Sequence, residues 1–416
     1  MRRFICLLIF IVSTIIGRAQ APDTVLSFQE AKARLLNYNI GLLAAYYDIG
    51  IAKAKLIQAK VWNNPNFIVN GDMYNQETNE YFALRNQSLW QLEQVFSIAG
   101  KHTNSVKLAR IGVEMAEKQM EDVIRSMLFE LGNTYSDFAA LQSKQVLYQL
   151  VISNYDKLMA ATRKQLEVGA ISTTEAIRVE AEYLNMKADA IENFNQKESV
   201  GGNLRSLLRY PEDTIFYVEQ RVRLGDEDFD PIYLATQAVE SRPDIQAAKI
   251  NIRYQERNLS LQQSSGVPDV KVGYQPYDRG SNYIRPYHGF TTEIFLPLYD
   301  HNQGRIKQAK LSVAQSSLQY SRIENQAKNE VAAAYSRYQN SKAGLANYNS
   351  QFIDRLNELN QTANQNFQKR NISLLQFIDQ QRIYIRTNIQ LIELKRQFLN
   401  NVNELNFSVG QTLIDY

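Results

Sequence analysis

The 416-residue chain carries 46 basic and 43 acidic residues, with one cysteine, three histidines and seven methionines, and without Arg2, Arg3 and Arg18 the two signs balance at 43 each. A neutral chain lacks the concentrated basic surface that nucleic acid demands. The histidines His102, His288 and His301 are scattered rather than spaced as metal ligands, and no nucleophile elbow, phosphate loop or clustered ligand set points to an enzyme or a cofactor.

The first predicted element is an export signal at residues 1–19: Arg2 and Arg3, the apolar run Phe4–Ile16, then Gly17-Arg18-Ala19 as a small-x-small cleavage site before Gln20. The run is too short to span a bilayer comfortably, so removal after export is expected. Cys6 leaves with it, and no cysteine stands at the new N-terminus to carry a lipid.

Beyond the signal the chain is written twice. Phe28–Pro65 pairs with Pro231–Pro268 at an offset of 203; later the offset is 200, with Val106, Lys107 and Ala109 answering Ile306, Lys307 and Ala309, and then 201, with Tyr183 and Leu204 answering Tyr384 and Leu405. Chance identities do not hold a register for so long. The expected organisation is a first repeat over 20–210, an acidic joint over 211–229 that runs toward Asp226-Glu227-Asp228 and Pro231, and a second repeat over 230–416.

In each copy a helical stretch leads to proline and a strand. Asn66–Asn75 alternates, with Phe67, Val69, Gly71 and Met73 opposite Asn66, Asn70 and Asp72, and Leu89–Phe96 sets Trp90, Leu92 and Phe96 against Gln91 and Glu93. The second copy sets Val270, Val272 and Tyr274 against Asp269, Lys271 and Gln275, with Pro276 marking the strand end, and Phe290, Ile294 and Leu296 against Thr291 and Glu293 over Tyr287–Leu296. Segments of this length with one apolar and one wet face suit a tilted strand crossing an outer membrane. Four strands cannot close a barrel, so several chains must share one. Tyr74, Tyr81, Tyr274, Tyr277, Tyr283 and Tyr287 suit interfacial girdles, whereas a soluble hairpin satisfies each strand pair taken alone.

Between Lys101 and Glu167 there is no proline. Apolar or small residues recur at Val106, Ala109, Val113, Ala116, Met120, Val123 and Met127, then Leu131, Tyr135 and Phe138, where two four-residue steps relax the left-handed supercoil. The second copy repeats the seam and its irregularity at Ile306, Ala309, Val313, Ser316, Tyr320, Ile323, Ala327, Val331, Tyr335 and Tyr338. A helix over 101–167 would reach roughly 100 Å at 1.5 Å per residue, and its polar flanks suit a hollow wall. An extended coiled coil satisfies the helices alone. Val168-Gly169-Ala170-Ile171-Ser172 and Arg370-Asn371-Ile372-Ser373 each break a long helical stretch.

The doubled approach at Pro65 and Pro268, the strand exits Val95-Phe96-Ser97 and Phe295-Leu296-Pro297, and those two turns together resemble the TolC family of outer-membrane efflux channels over essentially the whole mature chain. The resemblance implies a fold mainly α with transmembrane β: a duplicated TolC-like fold, in which a homotrimer builds a 12-stranded β-barrel in outer-membrane lipid continued by a 12-helix α-barrel across the periplasm. It implies a passive channel of a tripartite efflux or type I secretion system, fed by an inner-membrane pump of RND or ABC type through a periplasmic adaptor, in a Gram-negative bacterium. Ile98-Ala99-Gly100-Lys101-His102 resembles the glycine-lysine-basic exit of the subgroup paired with heavy-metal cation exporters, with His102 replacing the usual arginine. By the same similarity Glu175 and Asp379 map near the periplasmic aperture, Gln376 stands where an acid is often found, and Phe367 and Arg370 flank the same turn. A first-turn carboxylate stabilised by the helix dipole is the local alternative for Glu175, and a solvated helix face for Asp379. Glu93 and Glu293, 200 residues apart on the wet faces, are expected to line the barrel lumen. The competing class is a periplasmic or secreted coiled-coil scaffold or adaptor without a pore.

Overall fold

The computed structural model describes residues 24–71, 73–76, 79–82, 88–219, 222, 228–278, 287–369 and 371–415. The export signal, Arg370, Tyr283 and the Asp226-Glu227 part of the joint lie outside the described residues. In chain order the elements are β1 (Thr24–Leu26), α1 (Phe28–Tyr38), α2 (Ile40–Lys60), β2 (Asn66–Gly71), β3 (Tyr74–Asn75), β4 (Glu80–Tyr81), β5 (Ser88–Phe96), α3 (Lys101–Glu167) and α4 (Thr173–Leu208). There follow β6 (Phe216–Val218), α5 (Pro231–Ser241), α6 (Pro243–Ser265), β7 (Val270–Asp278), β8 (Tyr287–Ile294), α7 (Gln303–Ala346), α8 (Ser350–Gln368) and α9 (Leu374–Val409). The chain forms two compact units, one from Met1–Leu43, Ile124–Ala235 and Glu330–Tyr416, the other from Ala44–Val123 and Thr236–Asn329. Each unit draws on both halves of the sequence.

The unit holding Ala44–Val123 contains a four-stranded antiparallel sheet of order β2-β5-β7-β8. The alternation predicts its faces, but three details differ, the first being that the strand expected over Tyr287–Leu296 ends at Ile294. Rather than running on to Asn75, the first strand stops at Gly71, and Tyr74–Asn75 pairs with Glu80–Tyr81 as a separate ribbon. Nor does Pro276 end its strand: β7 continues to Asp278, and the register slips on both flanks of the proline, between Trp90 and Leu92 and between Gln275 and Asp278. A bulge frees that position from donating to the ladder, so a proline is tolerated there.

In the other unit β1 and β6 pair in parallel. The Tyr135 hydroxyl lies 2.8 and 2.9 Å from the Leu26 and Glu219 carbonyl oxygens, and burial pushes its pKa up to about 12, so it remains a protonated donor. Its sequence partner Tyr335 donates to Asp228 Oδ1 at 2.6 Å. Both duplicated tyrosines thus hold residues of the joint. A cluster of Leu147, Val151, Tyr155, Leu158, Val179, Leu356, Ala363, Phe377, Ile378, Tyr384 and Ile385 forms a core in this unit.

The long helices follow the seam closely. Every seam residue of both copies, from Val106 to Phe138 and from Ile306 to Tyr338, is buried or half-buried. However, α3 is one helix of 67 residues, whereas the second copy is split into α7 (44 residues) and α8 (19 residues) before the Arg370–Ser373 turn. Asn349 explains the split. Its side chain accepts the Phe352 N–H at 2.8 Å as an N-cap, and Tyr348 packs edge-on to Phe352; the first copy has Gln149 at the matching place, a residue with no such preference. Among the described residues no helix is long and apolar enough to cross a membrane.

Candidate functional site

Register decides what the sheet presents. Residues directly opposite share a face, so the pairs Phe67↔Leu92, Val69↔Trp90, Leu92↔Tyr274, Tyr274↔Phe290 and Val270↔Ile294 assemble one apolar surface. Phe67, Val69, Trp90, Leu92, Tyr274, Phe290 and Ile294 are all exposed there. Phe67 and Trp90 meet edge to face at 6.0 Å. The opposite surface carries Asn66, Asn70, Gln91, Glu93, Lys271, Gly273, Gln275, Thr291 and Glu293.

Both predicted lumen carboxylates, Glu93 and Glu293, stand on this polar surface, and Lys271 joins them. Its Nζ lies 2.7 Å from Glu93 Oε2 and 3.0 Å from Glu293 Oε2. Gln91 donates to Glu93 Oε1 at 2.5 Å and to Thr291 Oγ1 at 3.0 Å, and accepts from Gln275 at 2.9 Å. The Gln91 side chain passes where Gly273 has none: a Cβ on Gly273 would fall 2.4 Å from Thr291 Oγ1 and 2.7 Å from Gln91 Nε2. Sequence reading placed Lys271 on the wet face without its partners. The opposite charge of Lys271 and Glu293 was the available signal, and it needs the Lys271↔Glu293 register to be read.

The strand-to-helix exit has a structural explanation. Ala99 and Gly100 both adopt positive φ, 57° and 76°, which turns the chain sharply from β5 into α3. Lys101 then pairs with Asp269 at 2.7 Å, and the His102 ring stacks on Trp62 at 4.1 Å. Of the other histidines, His288 Nδ1 lies 3.1 Å from the Tyr274 hydroxyl, and the His301 N–H donates to the Gln303 side chain. Among the described residues no three His, Cys, Asp or Glu side chains gather as a metal site.

The helix starts hold the aperture candidates. Glu175 accepts the Ser172 N–H at 2.9 Å and the Ser172 hydroxyl at 3.0 Å, while its own N–H donates to Ser172 Oγ at 3.2 Å, a complete capping box for α4. The Ser172 backbone and hydroxyl, with a smaller effect from Arg178, hold its carboxyl below the usual range. Gln376 repeats the box on α9, accepting the Ser373 N–H at 2.9 Å and donating its N–H to Ser373 Oγ at 3.3 Å. An amide can replace the acid because the box needs only an oxygen. Asp379 is exposed, one turn along α9 from the box. Phe367 stacks on Phe377 at 4.7 Å and packs against the core. Sequence reading missed the ion pair between Glu182 of α4 and Arg382 of α9, which lies one turn beyond Asp379.

The model of the outer membrane efflux protein family matches residues 33–208 and again residues 234–411. The chain belongs to the outer membrane efflux protein family. It is therefore an outer-membrane efflux component, passive in transport, with the TolC-like fold. Among solved structures, the outer membrane protein VceC from Vibrio cholerae is similar at 14% identity, with a TM-score of 0.73 over 92% of this chain and 96% of that one. The CmeC outer membrane channel of Campylobacter jejuni gives 15% identity and a TM-score of 0.74 over 93% and 87%. CusC gives 16% identity and 0.72 over 96% of both chains. At these identities the likeness carries the fold. No curated protein sequence matches the chain significantly.

Proposed function

We propose that three copies of this chain close a 12-stranded barrel in the outer membrane, with the apolar face toward lipid and the polar face toward an aqueous lumen, and that 12 helical rods continue the tunnel into the periplasm. One observation carries the reading: a four-stranded sheet with an exposed apolar face and two open edges, β2 and β8, cannot stand alone. In lipid those edges must find strands, and neighbouring copies supply them by symmetry. The CusC structure is described in terms of folding and transmembrane channel formation, in keeping with this assembly.

An inner-membrane pump and a periplasmic adaptor deliver the cargo, and the pump sets its class, heavy-metal cations, drugs or proteins. The Ile98–His102 segment serves the fold in this reading, through Lys101–Asp269 and His102–Trp62. Glu175 and Asp379, repeated by threefold symmetry, place acids around the periplasmic aperture, with Gln376 the neutral member. The test is fractionation followed by conductance. Detergent-extracted trimers from the outer membrane should form pores in planar bilayers, and E175Q with D379N should lower the preference for cations. A soluble monomer after signal removal overturns the reading.

A further inference from the structure

Resting on that pore reading, we propose that Lys271 is a specificity-determining residue of the barrel, a built-in counter-ion that masks the lumen glutamates and keeps the passage only weakly cation-selective. Glu93 and Glu293 alone would give each chain two negative charges on the polar face. Lys271 binds both, at 2.7 and 3.0 Å, and leaves one. Asp269, which borders this face, is neutralised by Lys101 at 2.7 Å.

The arrangement is built rather than incidental. Lys271 is the register partner of Glu293 and lies diagonally from Glu93, whose own partner is Gly273. Because Gly273 has no side chain, Gln91 crosses to Thr291 and at the same time donates to the Glu93 oxygen that Lys271 leaves free. The two carboxylates differ in access: the Glu93 side chain is 7% exposed and that of Glu293 is 45% exposed. Lysine therefore bridges an enclosed acid and an exposed one on the same face, and in three copies the lumen ring carries half the charge that its glutamates alone would give.

Reversal potentials across planar bilayers in a potassium chloride gradient test this with full-length protein. K271M should raise the potassium-to-chloride permeability ratio by at least about twofold, since a bare charged ring concentrates counter-ions. K271R should match the wild type, and K271M with E293Q, which removes one charge of each sign, should return the ratio to near the wild-type value. E293Q alone leaves Lys271 paired only with Glu93 and should lower the ratio, a readout that stands even where K271M does not assemble. A conducting wild type whose reversal potential is unmoved by K271M, or by E293Q where K271M does not assemble, overturns this inference alone. A wild type that conducts nothing overturns the pore reading and this inference together.

Discussion

The starts of α4 and α9 are the same sentence written twice, and they agree only in their first words. Ser172 with Glu175 and Ser373 with Gln376 make the same reciprocal box, yet two residues later Ile177 is 60% exposed while its counterpart Ile378 is 1% exposed. Ile378 enters the cluster with Phe377, Leu356 and Ala363, whereas α4 contributes Val179 instead. Capping closes within one turn of backbone and so survives duplication intact. Packing depends on what lies opposite each residue, and that differs between the two starts: Ile378 joins the cluster that Leu356 and Ala363 of α8 help to build, while Ile177 stays outside it. The glutamates of the sheet tell a similar story: Glu93 on the inner strand β5 is enclosed, and Glu293 on the edge strand β8 is open.

The contrast is sharpest in the two isoleucines. Ile378→Ala should destabilise the protein by about 2–5 kcal/mol in denaturant titrations of the detergent-solubilised chain, whereas Ile177→Ala should cost less than about 0.5 kcal/mol. Equal losses would mean that assembly buries Ile177 as deeply as Ile378. At the caps the expectation is symmetry: Ser172→Ala and Ser373→Ala should each cost about 1 kcal/mol, seen as loss of amide protection in the first turn of α4 or α9. A clear inequality would show that the box is worth more where the helix is otherwise better packed.

The smallest effect separates the boxes by acidity. Glu175 has a folded-state pKa depressed below 4.5, so its extra stabilisation is fully present above that value and is lost as pH falls through the lower folded value. Gln376 does not titrate. Amide protection at the start of α4 should therefore weaken in acid relative to the start of α9, and Q376E should make the two behave alike. Parallel acid profiles for the unmodified boxes would contradict the assignment of Glu175 as the titrating half of its cap.

Much of this was legible in the chain because it is periodic or local. The seam from Ile306 to Tyr338 needed only a helical repeat, the strand faces only a period of two, and Ser172-x-x-Glu175 is a cap on its face. Asn349 was equally readable as a helix start, since an N-cap closes within one turn, but the seam followed from Ile306 stopped at Tyr338 and did not reach it. Pro276 was misread because a bulge is a property of neighbouring strands, not of the residue. The partners of Lys271 stayed hidden for the same reason: the lysine lies 22 residues from Glu293 and 178 from Glu93, and only strand pairing brings the three together.

By itself the sequence determined the duplication, the helical rods, the two-faced strands and the caps, since each follows from backbone geometry repeated over a few residues. Tertiary structure alone decided which member of a duplicated pair is enclosed and that a lysine sits between the two glutamates. Identical local chemistry acquires different surroundings once strand order and helix neighbours are chosen, because burial and charge pairing are properties of what lies opposite a residue.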